Sequence, residues 1–355
     1  MAGPIELKRL KKKIDFEIGA FLDAKIKETK GIDRTMAEAL RYSKKIIMSG
    51  GKRIRGAFMF YGYLAIEGKE FEKIFKASVS IELIHFFLLM HDDIMDQDEK
   101  RHGITTIHEH YKKVAEKLFC DKNAKHFGIS VAIIIGDMFA ALGNQVLYES
   151  DFDSKLIVRA LKKLQKIVSM TVVGQSKDFY IEYRGKASVR DVLRMYKYKT
   201  AKYTFEGPLH LGAILGGAKD EFLKKLSRYA IPAGVAFQIQ DDILGIFGSE
   251  KKIGKPVGSD IRQGKYTILV AKAFEGARLK QKQILISCLG NKNLTHKDIE
   301  DFKTVLIDTG ALDFAKKLAL LLVSDAKREL KKMKINPKAE KFLGTIADYM
   351  IQREL

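Results

Sequence analysis

The chain has 355 residues, 46% hydrophobic and 30% charged, which excludes general disorder and allows one large domain or two medium ones. Its 64 Lys and Arg against 44 Asp and Glu leave a formal charge of +20, suiting anionic partners such as nucleic acid, acidic lipid or phosphorylated small molecules. The two cysteines, Cys120 and Cys288, are too few for a disulfide framework and lack metal-site spacing, so both are expected as reduced thiols in a cytoplasmic protein.

The N-terminal stretch, MAGPIELKRLKKKIDFEIG, carries charge but no apolar segment of signal-peptide length. The longest unbroken apolar runs, around 86–90 and 131–135, are far shorter than a membrane span and end at acids, which predicts a soluble chain. Only five prolines occur, and long proline-free stretches favour helices. Ile14, Ile18, Phe21, Leu22 and Ile26 follow the three-to-four step of a helix, as do Leu156, Leu161, Leu164, Ile167 and Val168. No series of alternating strands and no hairpin-turn signal appears. Connections are expected at 28–34, 67–72, 98–104, 120–128, 149–154, 184–190 and 217–220. The expected class is all-α, with ten or more helices in a single domain spanning 1–355.

Gly50–Gly56, GGKRIRG, joins permissive backbone to cations at Lys52, Arg53 and Arg55, a diphosphate grip without the spacing of a P-loop. Next comes Leu88–Asp96, LLMHDDIMD. Asp92 and Asp96 lie four apart on one helical face with Asp93 beside them. Carboxylates embedded in apolar sequence repel each other and lose hydration unless cations compensate. Magnesium compensates well, because it prefers oxygen ligands and bridges carboxylates to substrate phosphates. His85 lies two turns before Asp92 on nearly the same face, either as a satisfied core group or as a ligand. Arg101-His102-Gly103 follows, then Lys199-Thr200 and Lys202.

A second acidic segment, Phe237–Gly245 (FQIQDDILG), repeats the pattern with Asp241 and Asp242. One such motif would read best as a solvated or capping acid pair, whereas two inside apolar helices favour metal binding. The polar stretch 248–265, GSEKKIGKPVGSDIRQGK, is bracketed by Lys255 and Lys265 and is long enough to be functional. Catalytic motifs thus fall within 50–270, and strongly basic helices follow over 290–355 with no linker.

From about residue 40 to 270 the chain resembles the trans-prenyl diphosphate synthases of the farnesyl/geranylgeranyl type. The marks are GGKRIRG, ELIHFFLLMHDDIMD, RHG, Gly136-Asp137, Lys199-Thr200, FQIQDDILGIFG and GKPVGSDIRQGK, in the family's order and spacing. The resemblance implies a helical bundle around a deep central cavity. It implies two or three magnesium ions, with manganese as a substitute, held by Asp92 and Asp96 on one wall and by Asp241, with Asp242 near it, on the other. Lys52, Arg55 and His85 match positions that bind the diphosphate of isopentenyl diphosphate, and His102 stands at a further contact to it. Arg101, Lys199, Thr200, Gln238, Lys255 and Lys265 match contacts to the allylic diphosphate. Phe87 and Leu88 match positions that set product length, in the geranylgeranyl pattern. On an ideal wheel Leu88 lies about 40° from the Asp92 direction and Phe87 about 140° away, so helix tilt decides which meets the growing chain.

Four positions depart from the family pattern: Gly56 and Thr105 replace prolines, His102 replaces the second of a paired arginine, and Gly245 replaces the third aspartate of the second motif. The expected reaction condenses isopentenyl diphosphate with dimethylallyl, geranyl or farnesyl diphosphate by ionisation, condensation and proton elimination, ending at geranylgeranyl diphosphate. Farnesyl or farnesylgeranyl diphosphate synthesis, a class I terpene cyclase and a non-catalytic partner subunit remain as alternatives, and a nucleic-acid binder ranks last. A homodimer is implied, and contact of the basic C-terminal helices with a membrane surface stays open.

Overall fold

Nearly every segment with three-to-four apolar spacing is helical in the computed structural model, which describes residues 2–119, 123–248 and 258–351. In chain order these are α1 (Ala2–Lys30), α2 (Arg34–Ser49), α3 (Ile54–Leu64), α4 (Phe71–Met95), α5 (Ile107–Phe119), α6 (Ala124–Tyr148), α7 (Ser154–Arg184) and α8 (Val189–Tyr196). A π-helical segment, Lys197–Glu206, leads into α9 (Gly207–Leu215) and α10 (Asp220–Phe247), and shorter helices continue to Pro337–Ile351.

Polar caps set the boundaries. The Asp33 carboxylate accepts from the Met36 N–H at 2.6 Å to start α2, and Asp153 accepts from Lys155 N–H at 2.9 Å to start α7. Ser188 and Asp191 form a reciprocal capping box on α8.

Helix α4 lies at the centre and is apolar on almost every side, packing most extensively against α6. Helix α10 packs along Ala311–Lys331, and α3 packs against α9. One cluster of buried side chains runs from Leu7 on α1 to Met350 on the last described helix. Helices α4 and α6 are long and apolar enough to cross a membrane by length and composition, yet 67% of the most apolar stretch of α4 is buried within the protein.

The sequence shows no hairpin signal, but the structure has one. Lys100–Arg101 and Ile104–Thr105 pair antiparallel around His102 (φ 51°) and Gly103 (φ 79°), both left-handed as a two-residue type I′ loop requires. Strands of two residues are too short to show alternation.

Candidate active site

The C-terminal halves of α4 and α10, the start of α3, the middle of α7 and the π segment enclose one cavity of about 1300 Å³. Lys52, Arg55, His85, Phe87, Leu88, Asp92, Asp96, Arg101, Lys199, Thr200, Gln238 and Asp241 all line it. Lys255 lies outside the described residues. Asp242 does not reach this cavity: it is buried behind Asp241, where it accepts hydrogen bonds from Tyr196 Oη and from Gln238 Nε2 at 2.8 Å. Burial pushes its pKa up to about 8. Tyr196 Oη in turn accepts from the Ile268 N–H at 2.8 Å, so Asp242 ties α10 to α8 and to the helix that starts at Ile268.

On the α4 wall, Gln175 Nε2 donates to Asp92 at 2.7 Å, and Lys265 Nζ donates to Asp96 at 2.7 Å. Burial raises the pKa of Asp92 and its neighbour Asp96 adds to this, against the pull of Lys199. Asp93 turns aside to Arg101, which reaches it through Nε at 2.7 Å and through Nη2, while burial still lifts its pKa to about 6. Lys199 Nζ donates to Asp178 at 2.5 Å. Burial works against that ammonium, but Asp178 and Asp92 outweigh it and raise its pKa. Thr200 Oγ1 donates to Gln238 at 2.7 Å.

The π segment swings Lys199, Thr200, Tyr203 and Thr204 onto the cavity within one short span. Beside α3, the Arg55 guanidinium stacks 4.5 Å over the Tyr203 ring and donates to Thr204 Oγ1 at 2.8 Å. Arg55 Nε, His85 Nδ1 and Tyr203 Oη are buried with no hydrogen-bond partner. A buried unpaired polar group is costly, so these atoms are poised to accept or donate to a polar group that enters the cavity. Burial holds the His85 imidazole neutral, its pKa well below the ordinary value, and the charge of Arg55 reinforces this. His102, with its pKa also lowered by burial, packs on Gly50 and lines a side pocket with Lys52, Arg55 and His85.

Two departures gain a physical reason here. The Gly56 N–H donates to buried Glu82 at 2.8 Å, a bond that a proline could not make. At Gly245 a Cβ would lie 2.1 Å from Asp260 Oδ2, so the Asp260 carboxylate fills the space a third aspartate would need.

Sequence reasoning missed Gln175, Asp178, Tyr203, Thr204 and Asp260. An amide and an acid three apart in Gly174-Gln175-Ser176-Lys177-Asp178 were the available signal for the first two.

Carboxylates on two walls of one cavity, with lysine and arginine side chains beside them, make a site suited to metal-bound anions in a predominantly helical protein. Residues 36–306 match the polyprenyl synthetase family, and the chain belongs to it. It is 34% identical over 346 residues to a geranylgeranyl diphosphate synthase of Saccharolobus solfataricus, covering 96% of this chain and 95% of that one. The geranylgeranyl diphosphate synthase of Methanosarcina mazei is 31% identical over 94% of this chain and 95% of its own. Among solved structures, a geranylgeranyl pyrophosphate synthase of Corynebacterium glutamicum, complexed with isoprenyl diphosphate and magnesium, superposes with a TM-score of 0.93 at 29% identity. That match covers 98% of this chain and 99% of the other. The chain is therefore a prenyltransferase with the isoprenoid synthase fold.

Proposed function

We propose that this enzyme condenses isopentenyl diphosphate with dimethylallyl, geranyl and farnesyl diphosphates and releases mainly geranylgeranyl diphosphate. The observation that carries the reading is one cavity with Asp92 and Asp96 on one side, Asp241 on another, and unpaired Arg55 and His85 atoms beside them. At about 1300 Å³ it exceeds the roughly 300–1,000 Å³ of a drug-sized pocket, as two diphosphates and a growing chain require.

The donor set fits magnesium: Asp92, Asp96 and Asp241 offer oxygen only. Magnesium commonly joins one or two carboxylates to substrate phosphates, which matches carboxylates set on two walls. Two or three magnesium ions, replaceable by manganese, would supply positive charge to the departing diphosphate.

Lys52, Arg55, His85 and His102 grip isopentenyl diphosphate in this scheme. Arg55 donates through its guanidinium, and neutral His85 donates through one ring nitrogen. Lys199, Lys265, Arg101 and, by resemblance, Lys255 hold the allylic diphosphate and meet the charge that develops as it leaves. The Thr200 and Gln238 oxygens line the same cavity as Phe87, Leu88, Phe179 and Phe237 and would face the cation that remains. Asp242 and Asp93 act one step back, fixing Gln238 and Arg101. The released diphosphate takes the final proton.

Phe87 and Leu88 both line the cavity below Asp92 and set where the chain stops. Exposed Ile133, Ile134 and Tyr148 on α6 offer an apolar face for a homodimer. The single-domain, cytoplasmic enzyme would meet membranes only at its surface, through basic C-terminal helices that expose Leu320 and Leu321. The test is a magnesium-dependent assay with isopentenyl diphosphate and each allylic diphosphate, with products resolved by chain length. Turnover of an allylic diphosphate alone would identify a cyclase instead, and no turnover of any pair would sink the reading.

A further inference from the structure

The cavity stops short of α6. Although α4 and α6 pack together more extensively than any other pair, no α6 residue lines the cavity among the described residues. Phe87 and His91, four apart and so on one helical face, meet edge to face with centroids 4.9 Å apart and planes at 76°, and both line the cavity.

His91 is itself seated in α6. Its Nε2 lies 3.5 Å from the Ile133 carbonyl oxygen and 3.8 Å from the Asp137 carboxylate. The ring lies directly over Gly136, where an added Cβ would come within 2.5 Å of Nε2 and 2.7 Å of Cδ2. Glycine at 136 is thus what lets the imidazole enter the seam between the helices. Ile133 and Ile134 on α6 are both exposed.

We propose that His91 is a product-length residue that acts by position: seated over Gly136, it braces Phe87 and closes the α4–α6 seam to the growing prenyl chain. The inference rests on the reading that Phe87 lies at the end of that chain, and it adds the element that holds Phe87 there.

The experiment incubates the full-length enzyme with dimethylallyl diphosphate, isopentenyl diphosphate and magnesium and measures the product chain-length ratio by mass spectrometry. The ratio is internal to each sample, so a change in overall rate does not move it. His91→Ala and His91→Asn should raise the proportion of products longer than twenty carbons by about two- to tenfold, the range an edge-to-face aromatic contact supports. His91→Phe, which keeps a ring against Phe87, should hold the wild-type ratio more closely than either. Gly136→Ala leaves both rings in the sequence but removes the seat, and should lengthen products as His91→Ala does. If Phe87→Ala lengthens the products while His91→Ala, His91→Asn and Gly136→Ala do not, the bracing role is wrong and the Phe87 floor stands. If none of the four changes the ratio, both fall.

Discussion

Gly174 on α7 packs directly against the backbone of the π segment. A Cβ at 174 would lie 2.3 Å from Lys199 N, 2.7 Å from Lys199 Cα and 2.7 Å from the Tyr198 carbonyl carbon. Non-bonded heavy atoms rest near 3.5 Å, so Gly174→Ala must part the two segments by roughly 1 Å. Both bonds that aim the segment, Lys199 to Asp178 at 2.5 Å and Thr200 to Gln238 at 2.7 Å, cannot survive that shift unchanged. Overpacking costs about 1–3 kcal/mol, and the better helix propensity of alanine returns about 1, leaving a small loss of stability. Activity should suffer far more, because a misplacement of about 1 Å at a reacting centre can cost about 100-fold. Steady-state kinetics and thermal unfolding on the same preparation separate the two effects. Gly19→Ala on α1 is the control: its Cβ meets nothing within 4 Å, so it should stabilise by about 0.5–1 kcal/mol and leave turnover alone. A Gly174→Ala enzyme with wild-type turnover would refute the claim that this approach sets the position of Lys199.

Asp92→Ala and Asp241→Ala should each lower magnesium-dependent turnover by about 100-fold or more while circular dichroism stays native, and near-wild-type activity in either would remove one wall from the metal scheme. Arg55→Ala should chiefly raise KM for isopentenyl diphosphate, whereas Lys199→Ala should chiefly lower kcat with the allylic substrate; matching kinetic profiles would argue against two separate diphosphate sites. His210, buried beside Glu206 and Ser227, has its pKa pushed down to about 4 by burial first and by the Lys163 charge second. Its folded pKa lies below the unfolded value, so the stability it confers is present above about pH 6.5 and lost as pH falls towards 4. The loss is of order 3 kcal/mol at most, and urea titrations from pH 7 to 4 should show a shallower decline in His210→Gln if the assignment holds.

The helices were legible because a buried stripe repeats every three to four residues, as Leu10, Ile14, Ile18 and Leu22 show by being almost wholly inaccessible. Helix α4 lacks such a stripe, since it is surrounded on all sides, and only its acidic end identified it. The π segment was invisible: its apolar residues differ from those of an α-helix by one position per turn, within the noise of ten residues. Adjacent acids also concealed their difference. Asp241 and Asp242 sit about 100° apart around α10, so one meets the cavity and the other turns to Tyr196, and no local pattern reveals which neighbour is there. Asp260 was hidden for a related reason. Its part in the site depends on the empty space at Gly245, fifteen positions earlier in the chain, and only tertiary structure brings the two together.

The ion pairs of the free enzyme bear on how it loads. Lys265 lies between Asp96 at 2.7 Å and Glu182 at 3.3 Å, and Lys199 is bonded to Asp178 and charge-coupled to Asp92. These are the same lysines that the proposed scheme assigns to the allylic diphosphate, and two of the carboxylates, Asp96 and Asp92, are ones it assigns to magnesium. A metal ion held by Asp92 and Asp96 would compete with Lys265 and Lys199 for those carboxylates, and a diphosphate drawing the lysines away would leave Asp92 and Asp96 more receptive to metal. Both exchanges run in one direction, so each ligand should tighten the other. Linkage requires the two enhancements to be equal, and coupling of this kind is typically about 5- to 150-fold. Calorimetric titration of a non-ionising allylic diphosphate analogue with and without manganese gives one side of the cycle, and titration of manganese with and without the analogue gives the other. Lys265→Met should shrink the coupling, because the carboxylate wall would then no longer have to give up that counter-ion. An affinity for the analogue that does not depend on metal would show that these ion pairs persist on binding and that the exchange does not occur.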